Sequence, residues 1–276
     1  GGIEVTLIER NPNFISCPLS NLVIGGSKSM ADLTHRYGTL RRKYGVNVMQ
    51  AEVIGIDPQN QIVTMNVGAI SYDRLVISPG IDFIFADGLA DLALPAVQRQ
   101  IPNAWKAGAQ TANLRRQLEA MPDGGVFVIS IPKAPYRCPP GPYERVCQVA
   151  SYFKANKPRS KIIVLGANPE ITSKKGLFTK VWAEMYPGMI EYMPNNAAEE
   201  VDISTRTIKT EFERIRADVL NVIPPQQAGG GDGRVLKEKP GRGIPRPGSQ
   251  TIVQAIRRSG SRKTTASTSF GPAASL

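Results

Sequence analysis

Histidine is nearly missing from this sequence, which has one, His35, and only three cysteines, Cys17, Cys138 and Cys147. Centres built from several histidines are thereby excluded. No two cysteines stand at C-x-x-C spacing, so a structural zinc site is excluded too and no metal ligands can be nominated. No apolar run reaches the ~18 residues that a membrane-spanning helix needs. Asp82, Asp87 and Asp91 interrupt the most apolar stretch. The first residues, Gly1-Gly2, bring no Met, no basic n-region and no apolar h-region, and no secretory signal is visible.

What is present fits a globular protein. The 276 residues are 41% hydrophobic and 21% charged, enough to bury a core in one or two domains. The net charge of +11 suggests a nucleic-acid partner until its distribution is considered. Residues 229–276 carry nine Lys/Arg against two Asp/Glu, whereas the preceding 228 residues carry 25 against 21. The excess therefore belongs to a Gly/Pro/Ser-rich tail. Such a tail holds no basic surface in register, and nucleic acid is not expected as a partner. The composition predicts disorder from about Gly229 onward, with Thr251–Ile256 the only apolar pattern in that stretch.

Ile3-Glu4-Val5-Thr6-Leu7-Ile8 reads as a strand that ends at Glu9, ahead of a turn at Asn11-Pro12-Asn13. Leu33–Tyr44 reads as helical, closing on Arg41, Arg42, Lys43 and Gly45. Short strands are predicted at Asn47–Gln50, Val53–Asp57, Ile62–Asn66 and Leu75–Ser78, the last stopped by Pro79-Gly80. Leu114, Leu118 and Met121 share one face of a helix over Ala109–Met121. The continuous apolar strand Val126–Ile131 follows, then a Pro-rich loop, a helix over Tyr143–Asn156 and the strand Lys161–Leu165. This succession is a βαβ unit and predicts a parallel, doubly wound α/β sheet.

Three segments carry candidate chemistry. An acidic residue at the end of a strand, here Glu9, is placed to accept hydrogen bonds from an adenosine ribose in a dinucleotide-binding fold. It is also the residue type of any surface carboxylate. In Ser16-Cys17-Pro18-Leu19-Ser20-Asn21, Cys17 lies in a polar turn ahead of a short predicted helix, where a thiolate is favoured; the plain alternative is a small buried hydrophobe. In Arg137-Cys138-Pro139-Pro140-Gly141-Pro142-Tyr143-Glu144-Arg145, a cation precedes the thiol and a carboxylate follows six residues on. That pattern suits thiol and proton chemistry, but it also suits a rigid loop with an incidental cysteine. The prolines take the place of the glycines a nicotinamide-binding turn needs, which argues against NAD(P) there. Cys147 reads as packing, His35 as a surface residue, and Trp105 and Trp182 as core anchors.

Taken together, the segments IEVTLIE, SCPLSNLVIGG, YDRLVISPGI, PNAWKAGAQT, RCPPGPYER and ADVLNVIPPQQAG resemble the flavoprotein subunit of flavocytochrome c sulfide dehydrogenase over about residues 3–228. The resemblance implies two Rossmann-like domains of the FAD/NAD(P)-binding type, the first incomplete. It implies a partial FAD-binding domain with connector over 1–102 and a second Rossmann-like domain, not NAD-binding, over 103–217. A strand returning to the FAD domain would follow at 218–228, then a non-family basic tail at 229–276. It further implies FAD as cofactor, held by Glu9, by Pro79 and Gly80, and through a thioether to Cys17. Cys138 would form a redox-active disulfide that sulfide attacks, with Glu144 as the nearby proton carrier. Electrons would pass through flavin to a c-type cytochrome subunit in the periplasm.

Two departures matter. The Gly-rich phosphate loop that should precede Glu9 by ~20 residues is not in the sequence, and no cysteine follows Cys147 to pair with Cys138. The resemblance therefore predicts a chain truncated at both ends and inactive alone, with uncovered sheet edges in its first domain. The alternative function is a non-catalytic fragment or a cytochrome-docking module that cannot hold FAD. A sulfide:quinone oxidoreductase would call for an amphipathic membrane anchor that the tail does not show. A pyridine-nucleotide-disulfide oxidoreductase would call for the missing glycines at the Pro-rich loop.

Overall fold

A computed structural model describes residues 2–229 and 252–258. In chain order the principal elements are β1 (Ile3–Ile8), α1 (Ser20–Gly25), β2 (Asn47–Met49), β3 (Arg74–Ser78), α2 (Ala109–Ala120), β4 (Val126–Ile131), α3 (Gly141–Asn156), β5 (Lys161–Gly166), α4 (Lys175–Met185), β6 (Ile190–Pro194), β7 (Val219–Val222) and β8 (Ile252–Arg258). They fall into two units. The first comprises residues 1–14, 36–82 and 227–276, the second residues 15–35 and 83–226.

In the first unit, β1 runs parallel to β2, with Leu7 opposite Val48 and Ile8 opposite Met49. The ladder continues past the end of the strand: Glu9 N donates to Met49 O at 3.0 Å and Ala51 N to Glu9 O at 3.2 Å. Glu9 is therefore fixed by its backbone at the carboxyl end of β1. Ile8 packs with Ala51, Val53, Val63 and Met65 beneath a three-stranded antiparallel meander, Val53–Asp57, Ile62–Met65 and Gly68–Ser71.

The remaining strand of this sheet comes from the tail. β8 lies between β1 and β3 and is antiparallel to both, with Ala255 opposite Thr6 on one side and Leu75 on the other. The expectation of disorder through 229–276 is corrected at Ile252–Arg258. Its β-branched residues find open ladders on both sides, and every backbone group so paired is removed from water at little cost. Two strands, β2 and β3, remain as the edges of the sheet among the described residues, while its centre is filled. The rest of the tail lies outside the described residues.

The second unit holds four strands in the order β6-β5-β4-β7, all parallel. α3 connects β4 to β5 and α4 lies between β5 and β6, so the βαβ reading is realised. Buried Val128, Leu165, Leu220 and Val222 meet Leu92, Val97 and Ile101 on one side of the sheet. Along α3, Tyr143, Val146, Val149, Ala150 and Phe153 are buried at helical spacing, and such side chains each contribute about 1.5–3 kcal/mol of apolar burial. Pro142 sits in the first turn of α3, where its missing N–H leaves nothing unsatisfied.

Two expectations need correction here. The segment 218–228 is expected to return to the first domain; Val219–Val222 instead pairs with β4 in the second sheet, and the chain joins the first unit from residue 227. All four residues of β7 are buried, as a parallel strand covered on both faces requires. The antiparallel strands Glu200–Asp202, Thr207–Lys209 and Arg214–Arg216 precede it in the chain. The single helix expected over Leu33–Tyr44 is broken into Met30–Leu33, an extended Thr34–Arg36 and Gly38–Tyr44. Thr34 turns its Oγ1 back to Met30 O at 2.7 Å, a local bond that competes with the helical ladder. No helix among the described residues is long and apolar enough to cross a membrane.

Candidate functional site

In the second unit, the Pro-rich loop leaves the carboxyl end of β4 and delivers Cys138 at the turn into α3. Cys138 is exposed and adopts φ +57°, a left-handed conformation; its carbonyl accepts from Gly141 N at 2.9 Å. Gly141 is demanded by crowding. A Cβ there would stand 2.9 Å from Trp105 Cη2 and 3.2 Å from Cys138 Sγ.

Glu144 follows in the first turn of α3, exposed, with Oε2 accepting from Asn21 Nδ2 at 2.9 Å. Asn21 is buried, and its amide has one workable orientation. Its Nδ2 also donates to Gly141 O at 3.0 Å, and its Oδ1 accepts from Arg145 Nε at 3.1 Å. Arg145 is 1% exposed, and burial pushes its guanidinium down to about 10, against the opposing influence of Cys17 and Glu144. It remains a cation at neutral pH, and its hydrogen-bond acceptors are neutral: Asn21 Oδ1, Asn221 Oδ1 at 2.8 Å, Asn103 O at 3.0 Å and Ala104 O at 2.7 Å.

The backbone from Pro102 to Trp105 is the common receiver of these donors. Asn221 Nδ2 donates to Pro102 O at 2.6 Å and Asn103 O at 2.9 Å, and Arg145 to Asn103 O and Ala104 O. Arg137 Nη2 donates to Trp105 O at 2.6 Å. A buried segment without regular structure is tolerated because side chains satisfy its carbonyls one after another. The Trp105 indole Nε1, by contrast, is buried and has no partner among the described residues.

Cys17 is half-buried. Its Sγ donates to Trp105 O at 3.4 Å and accepts from Arg137 Nη2 at 3.1 Å. The cation that sequence places beside Cys138 thus points its guanidinium at Cys17, 120 residues away in the chain. α1, ahead of which Cys17 sits, is only six residues long, and the cations that act on the sulfur are Arg137, by a direct hydrogen bond, and the buried Arg145. Cys147 lies within α3 and accepts from Trp182 Nε1 at 3.2 Å; burial pushes its thiol up. His35 is exposed, and Trp105 and Trp182 are buried.

The first unit carries Glu9, 2% exposed, whose Oε1 accepts from Asn11 N at 2.8 Å and Asn11 Nδ2 at 2.7 Å. Glu9 lines a cavity of about 450 Å³ with Asn11, Arg36, Tyr37, Arg41 and Gln50. Burial, reinforced by the charge of Glu9, pushes the Tyr37 hydroxyl up to about 12. In the same unit Gly80 adopts φ +68° and its carbonyl accepts from Gly229 N at 3.0 Å. A Cβ on Gly229 would lie 1.9 Å from Pro79 O, so the two chain segments meet backbone to backbone. A carboxylate fixed at a strand end, a cavity beside it and two arginines lining that cavity fit the ribose and phosphate end of a dinucleotide such as FAD. The orphaned indole N–H of Trp105 independently offers a donor to a bound group in the second unit.

Sequence reasoning missed Asn21, Arg145 and the 102–105 carbonyls, as well as Arg36, Tyr37 and Arg41 in the first unit. The signal for the first two was present, since Asn21 ends SCPLSN and Arg145 ends RCPPGPYER.

The parallel sheets and their connecting helices define an α/β fold shared with known FAD/NAD(P)-binding proteins. Residues 111–224 match the family described as sulfide dehydrogenase (flavocytochrome c) flavoprotein chain, central. The match covers 114 of the 276 residues, from α2 through β7. Among solved structures it is similar to the sulfide:quinone oxidoreductase of Aquifex aeolicus, at 20% identity and TM-score 0.66, covering 85% of this chain and 55% of that one. It is also similar to the NAD-dependent persulfide reductase of A. fulgidus, at 12% identity and TM-score 0.60, covering 83% and 41%. The water-forming NADH oxidase of Lactobacillus brevis gives 19% and 0.55, covering 86% and 51%. The chain therefore spans about half the length of the solved structures it matches, and at these identities they share its fold.

Proposed function

We propose that this chain belongs to an FAD-dependent sulfide dehydrogenase, in which sulfide is oxidised at Cys138 and electrons leave through flavin to a c-type cytochrome subunit in the periplasm. The observation that carries the reading is the pair formed by Cys138 and Glu144. An exposed sulfur is held in a left-handed turn at the start of α3, and an exposed carboxylate is clamped by Asn21 in the next turn, inside the segment that matches the family.

In that reading Cys138 works as one half of a disulfide. Hydrosulfide attacks the Cys138 sulfur, an S–S bond to the incoming sulfur forms, and the second thiolate leaves. Glu144 takes the proton released as hydrogen sulfide becomes the nucleophile. In the structure all three cysteines are free, with Cys17 held by Arg137 and Cys147 by Trp182. Bound FAD supplies the two-electron acceptor for the sulfur. Glu9 holds its ribose, Pro79 and Gly80 lie against it, and Cys17 tethers it through a thioether. The location and the cytochrome partner rest on the family alone.

The test is flavin uptake by the purified chain. Titrated FAD fluorescence should quench to saturation, and Glu9→Gln should weaken binding about tenfold, the loss of roughly one charge-assisted hydrogen bond. After acid precipitation the washed pellet should stay yellow, and Cys17→Ser should leave it colourless. A chain that takes up no FAD overturns the proposal. That outcome would favour the second reading, a non-catalytic fragment or cytochrome-docking module. Its support is β8, which runs antiparallel in the middle of a sheet whose other strands are parallel to one another.

A further inference from the structure

We infer that Arg137 is the positioning residue of Cys17: it holds the sulfur in place and stabilises its anion. The inference rests on the reading that Cys17 is the tethering nucleophile and adds the residue that equips it for that task.

Geometry is the first ground. One nitrogen, Nη2, reaches both Trp105 O at 2.6 Å and Cys17 Sγ at 3.1 Å. The short bond to the carbonyl locks the guanidinium, so the sulfur meets a fixed charge. The backbone of Arg137 is fixed as well, since its N–H donates to Gln226 Oε1 at 2.9 Å and prolines stand at 135, 139 and 140. Charge is the second ground. No carboxylate pairs with Arg137 among the described residues, so the sulfur takes the place that an Asp or Glu would otherwise occupy.

The two neighbours of Cys17 favour opposite states. The Trp105 carbonyl accepts from Sγ and so favours the thiol. The guanidinium donates to Sγ and favours the anion, which it compensates once the proton passes to solvent. Arg145 also interacts electrostatically with Cys17, and Arg137 is the cation that hydrogen-bonds the sulfur directly. Trp105 is 5% exposed and its Nε1 has no partner among the described residues, while the Cζ2–Cη2 edge on the same side of the ring faces Gly141, beside Cys138 Sγ. A buried donor of this kind is satisfied in nearly all native proteins, by protein, water or ligand, and a bound group at this ring edge would serve it.

The experiment alkylates the full chain, without flavin, with iodoacetamide from pH 5 to 9. The S–C bond forms as iodide leaves, and the Cys17 and Cys147 peptides are followed by mass spectrometry. Arg137→Gln keeps a donor and removes the charge. It should slow Cys17 alkylation at pH 7 about tenfold and move its rate profile to higher pH, while Cys147 stays unchanged. Arg137→Lys keeps the charge and should restore most of the rate. Equal rates in wild type and Arg137→Gln overturn the inference, and so does equal slowing by both variants, which would make the role structural. If alkylation depends on Arg137 but FAD never attaches, the tether fails and the inference about Arg137 stands.

Discussion

The two four-stranded sheets of this protein were assembled under different constraints. In the second unit β4, β5 and β7 are continuous apolar runs, VFVISI, KIIVLG and VLNV, buried almost throughout. Parallel strands of that kind need cover on both faces and admit one arrangement. In the first unit β3 alternates between exposed and half-buried residues, and β1 is buried only over its second half. Such strands specify their neighbour weakly, and an antiparallel strand from far along the chain pairs with both. Order of burial, more than number of strands, separates a sheet that dictates its topology from one that accepts what is available.

The sharpest way to break this contrast is Arg145→Met. It strands four acceptors that the guanidinium serves in the second unit, and should cost about 3–5 kcal/mol, read as a lowered urea midpoint. A change under 1 kcal/mol would mean that water replaces the guanidinium and that the unit is less rigidly specified than its strands suggest. Next is Ala255→Pro, in the middle of β8, where a proline removes a ladder donor and should cost about 3 kcal/mol. Hydrogen exchange should then accelerate across β1 and β3 while β4 and β5 keep their protection. Uniform protection in both sheets would show that β8 contributes nothing to the first unit.

The smallest effect is expected at Asp202, on the turn of the antiparallel strands that precede β7. Its Oδ1 accepts from Ser204 N, Ser204 Oγ and Thr205 N, and these bonds hold its carboxyl down at about 2. A lowered folded value stabilises above the ordinary carboxylate range and loses that contribution as pH falls through about 2. Asp202→Ala should therefore be slightly less stable than wild type at pH 6 and indistinguishable from it near pH 2. A gap that persists at pH 2 would place the contribution in packing.

Most of the second unit was legible in the sequence because its signals are periodic and agree with one another. The strand expected at Val126–Ile131 appears with those bounds, and the helix expected at Tyr143–Asn156 begins two residues earlier, at Gly141. Legibility failed where local pattern and long-range pairing diverge. Thr34–Arg36 interrupts a helical pattern, and Ile252–Arg258 finds partners some 180 and 250 residues back in the chain, which no local rule can name. Within the site, the motif spelling pointed to Cys17, Cys138 and Glu144, but adjacency assigned Arg137 to the wrong cysteine. Direction of a long side chain is a tertiary property, and it reversed the expectation.

The carbonyl run from Pro102 to Trp105 has a consequence for which sequence changes the protein tolerates. Recognition there is addressed to the main chain, which every residue type shares, so Arg137, Arg145 and Asn221 meet the same oxygens whatever side chains those positions bear. Those bonds leave the spelling free, and what fixes letters here is separate: Asn103 Oδ1 accepts from Trp105 N, and the buried Trp105 ring lies against Arg145. Spacing has no such freedom. Adding or deleting one residue would offset every oxygen from its donor at once, so the segment behaves as a ruler whose markings are fixed in number.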